Sequence, residues 1–147
     1  MATVQIFSEY PGFTFRKKLF VTRWLREVLS TRDARLGEVS IIFMTDEALL
    51  EMNKKYLSHD YYTDIITFDY TADFGGRISG DLFISLDRAR DNAIQNNSNE
   101  EGEIYRLIAH GALHLIGYQD KTDREKRQMR VLEDFFIAKK NHLLGRL

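Results

Sequence analysis

EIYRLIAHGALHLIGYQD, residues 103–120, is the stretch from which the rest of the chain can be read. His110 and His114 stand four apart. On a helix, residues at i and i+4 share a face, with Cβ atoms roughly 5–6 Å apart. Two imidazoles so placed can hold one metal ion. Ile104, Leu107, Ile108, Ala112, Leu115 and Ile116 make the helix apolar nearly all round, which predicts that it is buried. Gly117 stops it, as glycine commonly does just past a helix end. The chain then turns and offers Asp120. The pattern H-x3-H-x2-G-x2-D supplies two ligands on a helix, a turn, and a third ligand brought back.

Three protein ligands and an open fourth position are the usual plan of catalytic zinc, whose bound water has its pKa lowered toward ~7. Imidazole and carboxylate both suit zinc. His110, His114 and Asp120 are therefore the expected ligands of one zinc ion. The alternative makes the histidines hydrogen-bonded core residues. A pair at this spacing, followed by glycine and a carboxylate, argues for metal instead. Asp120 has an alternative too, as the start of the next helix. Thr122 and Glu125 already read as a capping box there, which leaves Asp120 free.

The 147 residues suffice for one domain, residues 1–147, with one core. Hydrophobic content of 44% and charged content of 29% are those of an ordinary globular protein. No apolar run approaches bilayer length, so no membrane association is expected. MATVQIFSEY lacks the charged and apolar regions of a secretion signal. The absence of cysteine excludes disulfides and thiolate ligands and suits a reducing cytoplasm. Net charge is −1, so any nucleic-acid contact has to come from local basic patches.

Strands are expected at Thr3–Phe7, Glu38–Met44, Ile65–Phe68 and Arg77–Ser85, where β-branched and aromatic residues gather. Helices are expected at Phe15–Ser30, Asp46–Tyr56, Leu86–Asn96, Glu100–Ile116 and Asp123–His142. The first should turn Leu19, Phe20, Trp24, Leu25 and Val28 inward. The last should bury Met129, Leu132, Phe135, Phe136 and Lys139. Gly75-Gly76 is a turn, and Gly80 inside a strand signals a bulge or a close backbone approach. These elements predict an α+β fold: a small mixed four-stranded sheet, about five helices, and the metal site on a buried helix.

HGALHLIGYQD resembles the H-G-x-L-H-L-x-G-x-D-H signature of the YbeY endoribonucleases, single-domain enzymes of ribosomal RNA maturation. In that signature three histidines bind zinc. His110 and His114 match the first two, Asp120 stands at the third, and Gln119 replaces the family aspartate. A second segment, residues 53–70, NKKYLSHDYYTDIITFDY, resembles L-N-x-x-Y-R-x-K-D-x-P-T-[DN]-V-L-S-F. Asn53, Tyr56, Asp60, Thr63, Asp64 and Phe68 match. Leu57 stands at the family arginine, the expected phosphate or catalytic contact, and Tyr62 at the family proline. Lys54, Lys55, His59 and Arg77 are the candidate replacements for that arginine. Gly80-Asp81-Leu82 resembles a family G-D-I segment, and Asp81 is either an orienting partner of a ligand histidine or an exposed strand residue.

The resemblance implies a metal-dependent endoribonuclease specific for single-stranded RNA, cytoplasmic, with ribosomal RNA and the ribosome as partners and DNA not among them. The basic cluster Arg124, Lys126, Arg127 and Arg130, just beyond Asp120, is either an RNA contact or an ordinary solvated helix face. The same two readings hold for Arg16, Lys17, Lys18, Arg23 and Arg26. The residues identify no general acid or base. One alternative is a zinc peptidase, whose motif places its glutamate base directly after the first histidine; here that position is Gly111. Another is a non-catalytic ribosome-assembly factor with a structural metal, which would need a fourth ligand such as Asp123 or His142.

Overall fold

β-Branched and aromatic runs form four strands, β1 (Thr3–Ser8), β2 (Leu36–Met44), β3 (Ile65–Asp69) and β4 (Ile78–Ser85). The helices are α1 (Lys18–Ser30), α2 (Asp46–Leu57), α3 (Leu86–Gln95), α4 (Glu100–Leu115) and α5 (Asp123–Leu144). The computed structural model describes residues 3–145, so residues 1–2 and 146–147 of the expected domain lie outside it. The sheet order is β1-β2-β4-β3, with β1, β2 and β4 parallel and β3 antiparallel to β4. The architecture is the mixed four-stranded α+β arrangement expected from the sequence.

Strand alternation divides the core between the two faces of the sheet. Val39, Ile41, Phe43, Leu82 and Ile84 face the large cluster built with α1, α4 and α5. Ile42, Met44 and Ile66 face the smaller cluster under Leu49 of α2, joined by Phe83 and Phe68. Parallel strands covered on both sides read as nearly continuous apolar runs, as SIIFM in β2 does. Each fully buried aliphatic or aromatic side chain contributes roughly 1.5–3 kcal/mol of transfer free energy. The residues α4 brings to this core, Ile104, Leu107, Ile108, Ala112, Leu115 and Ile116, are all buried. That burial anchors the helix carrying the histidines.

Local capping starts the helices where the sequence predicts. Thr45 accepts from the Ala48 amide at the start of α2. Thr122 and Glu125 form the reciprocal capping box of α5. Two interior faces differ from expectation. Helix α1 begins at Lys18, because Phe13 and Phe15 pack as loop residues on Phe43, with ring centroids 5.2 and 5.6 Å away. Its orientation is set by Trp24, which packs edge-on to Tyr105 and donates to the Phe136 carbonyl at 2.9 Å. Val21 and Leu29 therefore go inside, and Leu19 is 86% exposed. On α5 the buried stripe is Met129, Glu133, Phe136, Lys140 and Leu143, which leaves Phe135 and Lys139 outside.

Gly80 is the close approach anticipated in β4. A Cβ there would collide with the Phe68 carbonyl oxygen of β3 and reach 3.0 Å from Leu115 of α4. The bulge lies next door in β2, where the register shifts between Leu36 and Val39. Because the obstacle is a paired backbone carbonyl, Gly80→Ala should force β3 and α4 apart. Overpacking of this kind costs about 3 kcal/mol. Chemical denaturation should show the midpoint falling accordingly; an unchanged midpoint would refute the contact.

Candidate metal centre

Helix α4 begins with the Asn99 side chain accepting from the Gly102 amide. It then crosses the sheet with Gly111 against it: a Cβ at 111 would lie 2.8 Å from Leu82 Cδ2 and 2.9 Å from Ile65 Cδ1. That contact fixes the rotation of the helix. With 3.6 residues per turn, His110 lies about 100° and His114 about 60° from Gly111, both to the same side. Both imidazoles therefore project past the β3 edge instead of into the core. The helix ends in a Schellman motif, with the Gly117 amide bonded to the His114 carbonyl at 3.0 Å and the Tyr118 amide to the Leu113 carbonyl at 3.0 Å. Gly117 has φ +101°, a conformation L side chains rarely adopt. This turn sends the chain back so that Asp120 returns to the histidines.

His110 Nε2, His114 Nε2 and Asp120 Oδ2 form a triangle with sides of 3.0, 3.1 and 3.5 Å. Tetrahedral zinc with bonds of ~2.0–2.2 Å separates its ligand atoms by about 3.3 Å. The hydrogen bonds identify the ring atoms that are free. His110 Nδ1 faces Glu133 Oε2 at 2.7 Å, and His114 Nδ1 faces the Tyr118 carbonyl at 2.8 Å. Each Nδ1–H donates to an oxygen, so each Nε2 is the ring nitrogen turned toward the other histidine and toward the Asp120 carboxylate. Donor atoms that converge this closely call for a cation among them, a proton or a metal ion. His110, His114 and Asp120 thus fit a metal ion, and they are the group among the described residues whose donor atoms converge in this way.

Behind the ligands lies a buried polar chain. Glu133 is 5% exposed, and an uncompensated carboxylate there would cost several kcal/mol. Arg106 Nη1 donates to Glu133 Oε1 at 3.1 Å, while His110 takes the other oxygen. Arg106 also reaches Asp134 at 2.8 Å, and Ser98 donates to the buried Glu103 beside it at 2.7 Å. A carboxylate on the far nitrogen of a ligand histidine fixes its tautomer and raises its basicity. Burial alone would lower the His110 pKa; the Glu133 bond, with the charges of Glu133, Asp120 and Asp64, outweighs it and holds the pKa above the ordinary imidazole value. Asp64 lines the cavity with His110 and Asp120. Burial pushes its carboxyl up, His110 and a backbone hydrogen bond oppose this, and Glu133 and Asp120 add to the rise.

The other sequence candidates lie elsewhere. Asp81 is not an orienting partner of a ligand. Gly80 and Leu82 face α4, so Asp81 points to the opposite face, where it meets the Tyr70 hydroxyl. Glu133 holds His110 instead. Lys54 is engaged by Glu51 and Asp60 at 3.6 and 3.5 Å, and Lys55 lies over the Tyr56 ring. His59 stacks on Tyr61. Arg77 lines a separate cavity with Arg26 and Arg35. On α5 the cleft receives Lys126 and Arg130; Arg124 and Arg127 are solvent-exposed and do not line it. Leu57, at the family arginine, borders the groove holding both histidines, and Lys121 is the cation there. Asp64, Arg106 and Glu133 were not singled out as site residues. Glu133 had a signal, as a charge between Met129 and Phe136 at core spacing.

The geometry also bears on the two alternatives. Gly111 packs into the sheet, so a base at that position would be aimed at Leu82 and Ile65, away from the histidines. Asp123 and His142 are exposed, and neither belongs to the ligand group.

An α+β domain with two histidines on one buried helix and an aspartate brought back by the turn after it, a group able to hold one metal ion, is the class that fold and site define. Comparison with known proteins then gives the family. The profile described as Endoribonuclease YbeY matches residues 10–141, and the chain belongs to that family. An endoribonuclease YbeY of Cytophaga hutchinsonii is 45% identical over 136 residues, covering 92% of this chain and 94% of the relative. One of Bacteroides thetaiotaomicron is 49% identical over 122 residues, 83% of this chain and 88% of its own length. One of Porphyromonas gingivalis is 38% identical over 145 residues, 99% and 95%. The fold is shared with a Thermotoga maritima protein solved in solution, with a TM-score of 0.63 at 21% identity over 98% of this chain and 93% of that one.

Two substitutions distinguish ligand from support. Asp120→Ala should weaken zinc binding by at least ~10-fold, whereas Asp120→His should retain it. Glu133→Gln removes the charge behind His110 and should also cost about 10-fold. Competition with a chromophoric chelator measures all three, and wild-type affinity in Asp120→Ala would exclude Asp120 as a ligand.

Proposed function

We propose that the chain is a metal-dependent endoribonuclease that cleaves single-stranded RNA, acting in ribosomal RNA maturation and ribosome quality control. The observation that carries this is the His110–His114–Asp120 triangle, with Asp64 and the cations Lys126 and Arg130 in the adjoining cavity wall. The YbeY relatives are named for endoribonuclease activity, and the cavity has the parts such a reaction needs. Zinc is the proposed ion, one per chain, because two imidazoles and a carboxylate without thiolates suit it. The proposed setting is the cytoplasm, with residues 1–147 acting as one hydrolase domain. Among the described residues no helix is long and apolar enough to cross a membrane.

Bound zinc supplies a Lewis acid for a phosphoryl oxygen and lowers the pKa of a coordinated water. The protein's own groups do the rest. Lys126 and Arg130 draw the phosphate backbone toward a molecule whose net charge is −1. Lys121 stands in the groove where the family arginine is replaced by Leu57. Glu133 keeps His110 in the tautomer that leaves Nε2 free. Asp64, held with a raised pKa beside the ligands, is the carboxyl placed to hold and return a proton.

The test is cleavage of single-stranded ribosomal RNA by the zinc-loaded protein, with and without chelator, and casein as the peptidase control. RNA should be cut only with metal, and casein should stay intact. Asp64→Asn should keep its zinc and lose about 100-fold in turnover. Proteolysis without RNA cleavage, or cleavage indifferent to chelator, would reverse the proposal.

A further inference from the structure

Tyr62, Thr63, Asp64, Arg88 and Asn92 line an open hollow of about 330 Å³. Asp64 also lines both cavities that contain His110 and Asp120, and Asn92 lines one of them. The hollow therefore continues directly from the metal centre. Its aromatic wall is Tyr62.

The ring of Tyr62 is held in place yet open. Its hydroxyl donates to Glu47 at 2.6 Å, and the residue remains 44% exposed. The Arg88 guanidinium lies 5.0 Å from the ring centroid. Arg88 is itself fixed by a 3.0 Å bond from Nε to Asp46 Oδ1. The loop is pinned from below by Asn53, which is 2% exposed, donates to the Tyr61 carbonyl at 2.9 Å and accepts from the His59 amide at 3.0 Å. A flat ring backed by a guanidinium is a surface on which an unpaired base stacks. A phosphate is disfavoured here: Asp46 already neutralises Arg88, and Glu47 adds a second carboxylate beside the ring. Asn92, in the same wall, carries an amide that can both donate to and accept from a base edge.

We propose that Tyr62, backed by Arg88, is the floor of a nucleobase subsite that receives one unpaired base of the RNA strand beside the metal centre. This rests on the endoribonuclease function proposed above. A base within a duplex has both faces stacked on its neighbours and cannot enter, so the subsite selects single strands. Loss of the ring removes one stacking contact, which by alanine substitution weakens binding about 10-fold or more.

The experiment is fluorescence anisotropy with the full chain, zinc-loaded, and a short labelled single-stranded RNA methylated at its 2′ oxygens to resist cleavage. Tyr62→Ala should bind about 10-fold more weakly, with an unchanged melting temperature and zinc content. Tyr62→Phe and Tyr62→Trp should stay within about 2-fold of wild type, since they keep the ring. A single abasic nucleotide, moved along the RNA, should lower wild-type affinity at one position and have no further effect there on Tyr62→Ala. Wild-type affinity in Tyr62→Ala, or abasic losses that add in full to it at every position, would overturn the subsite while leaving the nuclease proposal standing. Failure of the wild type to bind or cut any single-stranded RNA would overturn both.

Discussion

The structure depends on how closely α4 lies on the sheet. Gly111 leaves no side chain between the helix and the Leu82–Ile65 surface, and Gly80 leaves none between β4 and the Phe68 carbonyl. Together they allow one helix to fill the core with its leucines and isoleucines while its histidines emerge at the β3 edge. A helix held farther away, or rotated by one residue, would bury an imidazole or expose a leucine. The rigidity of the ligand pair is thus inherited from hydrophobic packing.

A second constraint operates from α5. Burying Glu133 is unfavourable unless both its oxygens are satisfied, and Arg106 and His110 satisfy them. The same carboxylate that helps dock α5 on α4 orients His110, a candidate metal ligand. Stability and site geometry are coupled through one side chain. Such coupling explains a carboxylate between Met129 and Phe136 on the buried face of α5.

Leu57, Tyr62 and Asp120 stand where the segments that this chain resembles carry other residues, and each has a local counterpart. Asp120 still brings an oxygen to within 3.1 Å of His110 Nε2. Leu57 shares its groove with Lys121, and Lys126 and Arg130 stand in the neighbouring cavity. Tyr62 adds an aromatic surface held by Glu47 and Arg88. Lys121, Lys126 and Arg130 place positive charge in the turn after α4 and in the first turns of α5.

Local sequence makes the elements and the histidine pair legible. Histidines at i and i+4, the Gly117 stop and the Thr122–Glu125 box are read within a few residues, because helical spacing and capping are local. The same locality made the mixed four-stranded fold legible, and the two quoted segments carried the family. Tertiary structure alone decided what stands around the ligands. Which face of β4 Asp81 occupies follows from how the sheet meets α4, and which cations reach the cleft follows from the rotation of α5 about Glu133. Glu133 reaches His110 from α5, and Asp64 joins the same cavity from just before β3, each from a different element of the fold. Such contacts are fixed by the packing of whole elements, for which short sequence spacings hold no record.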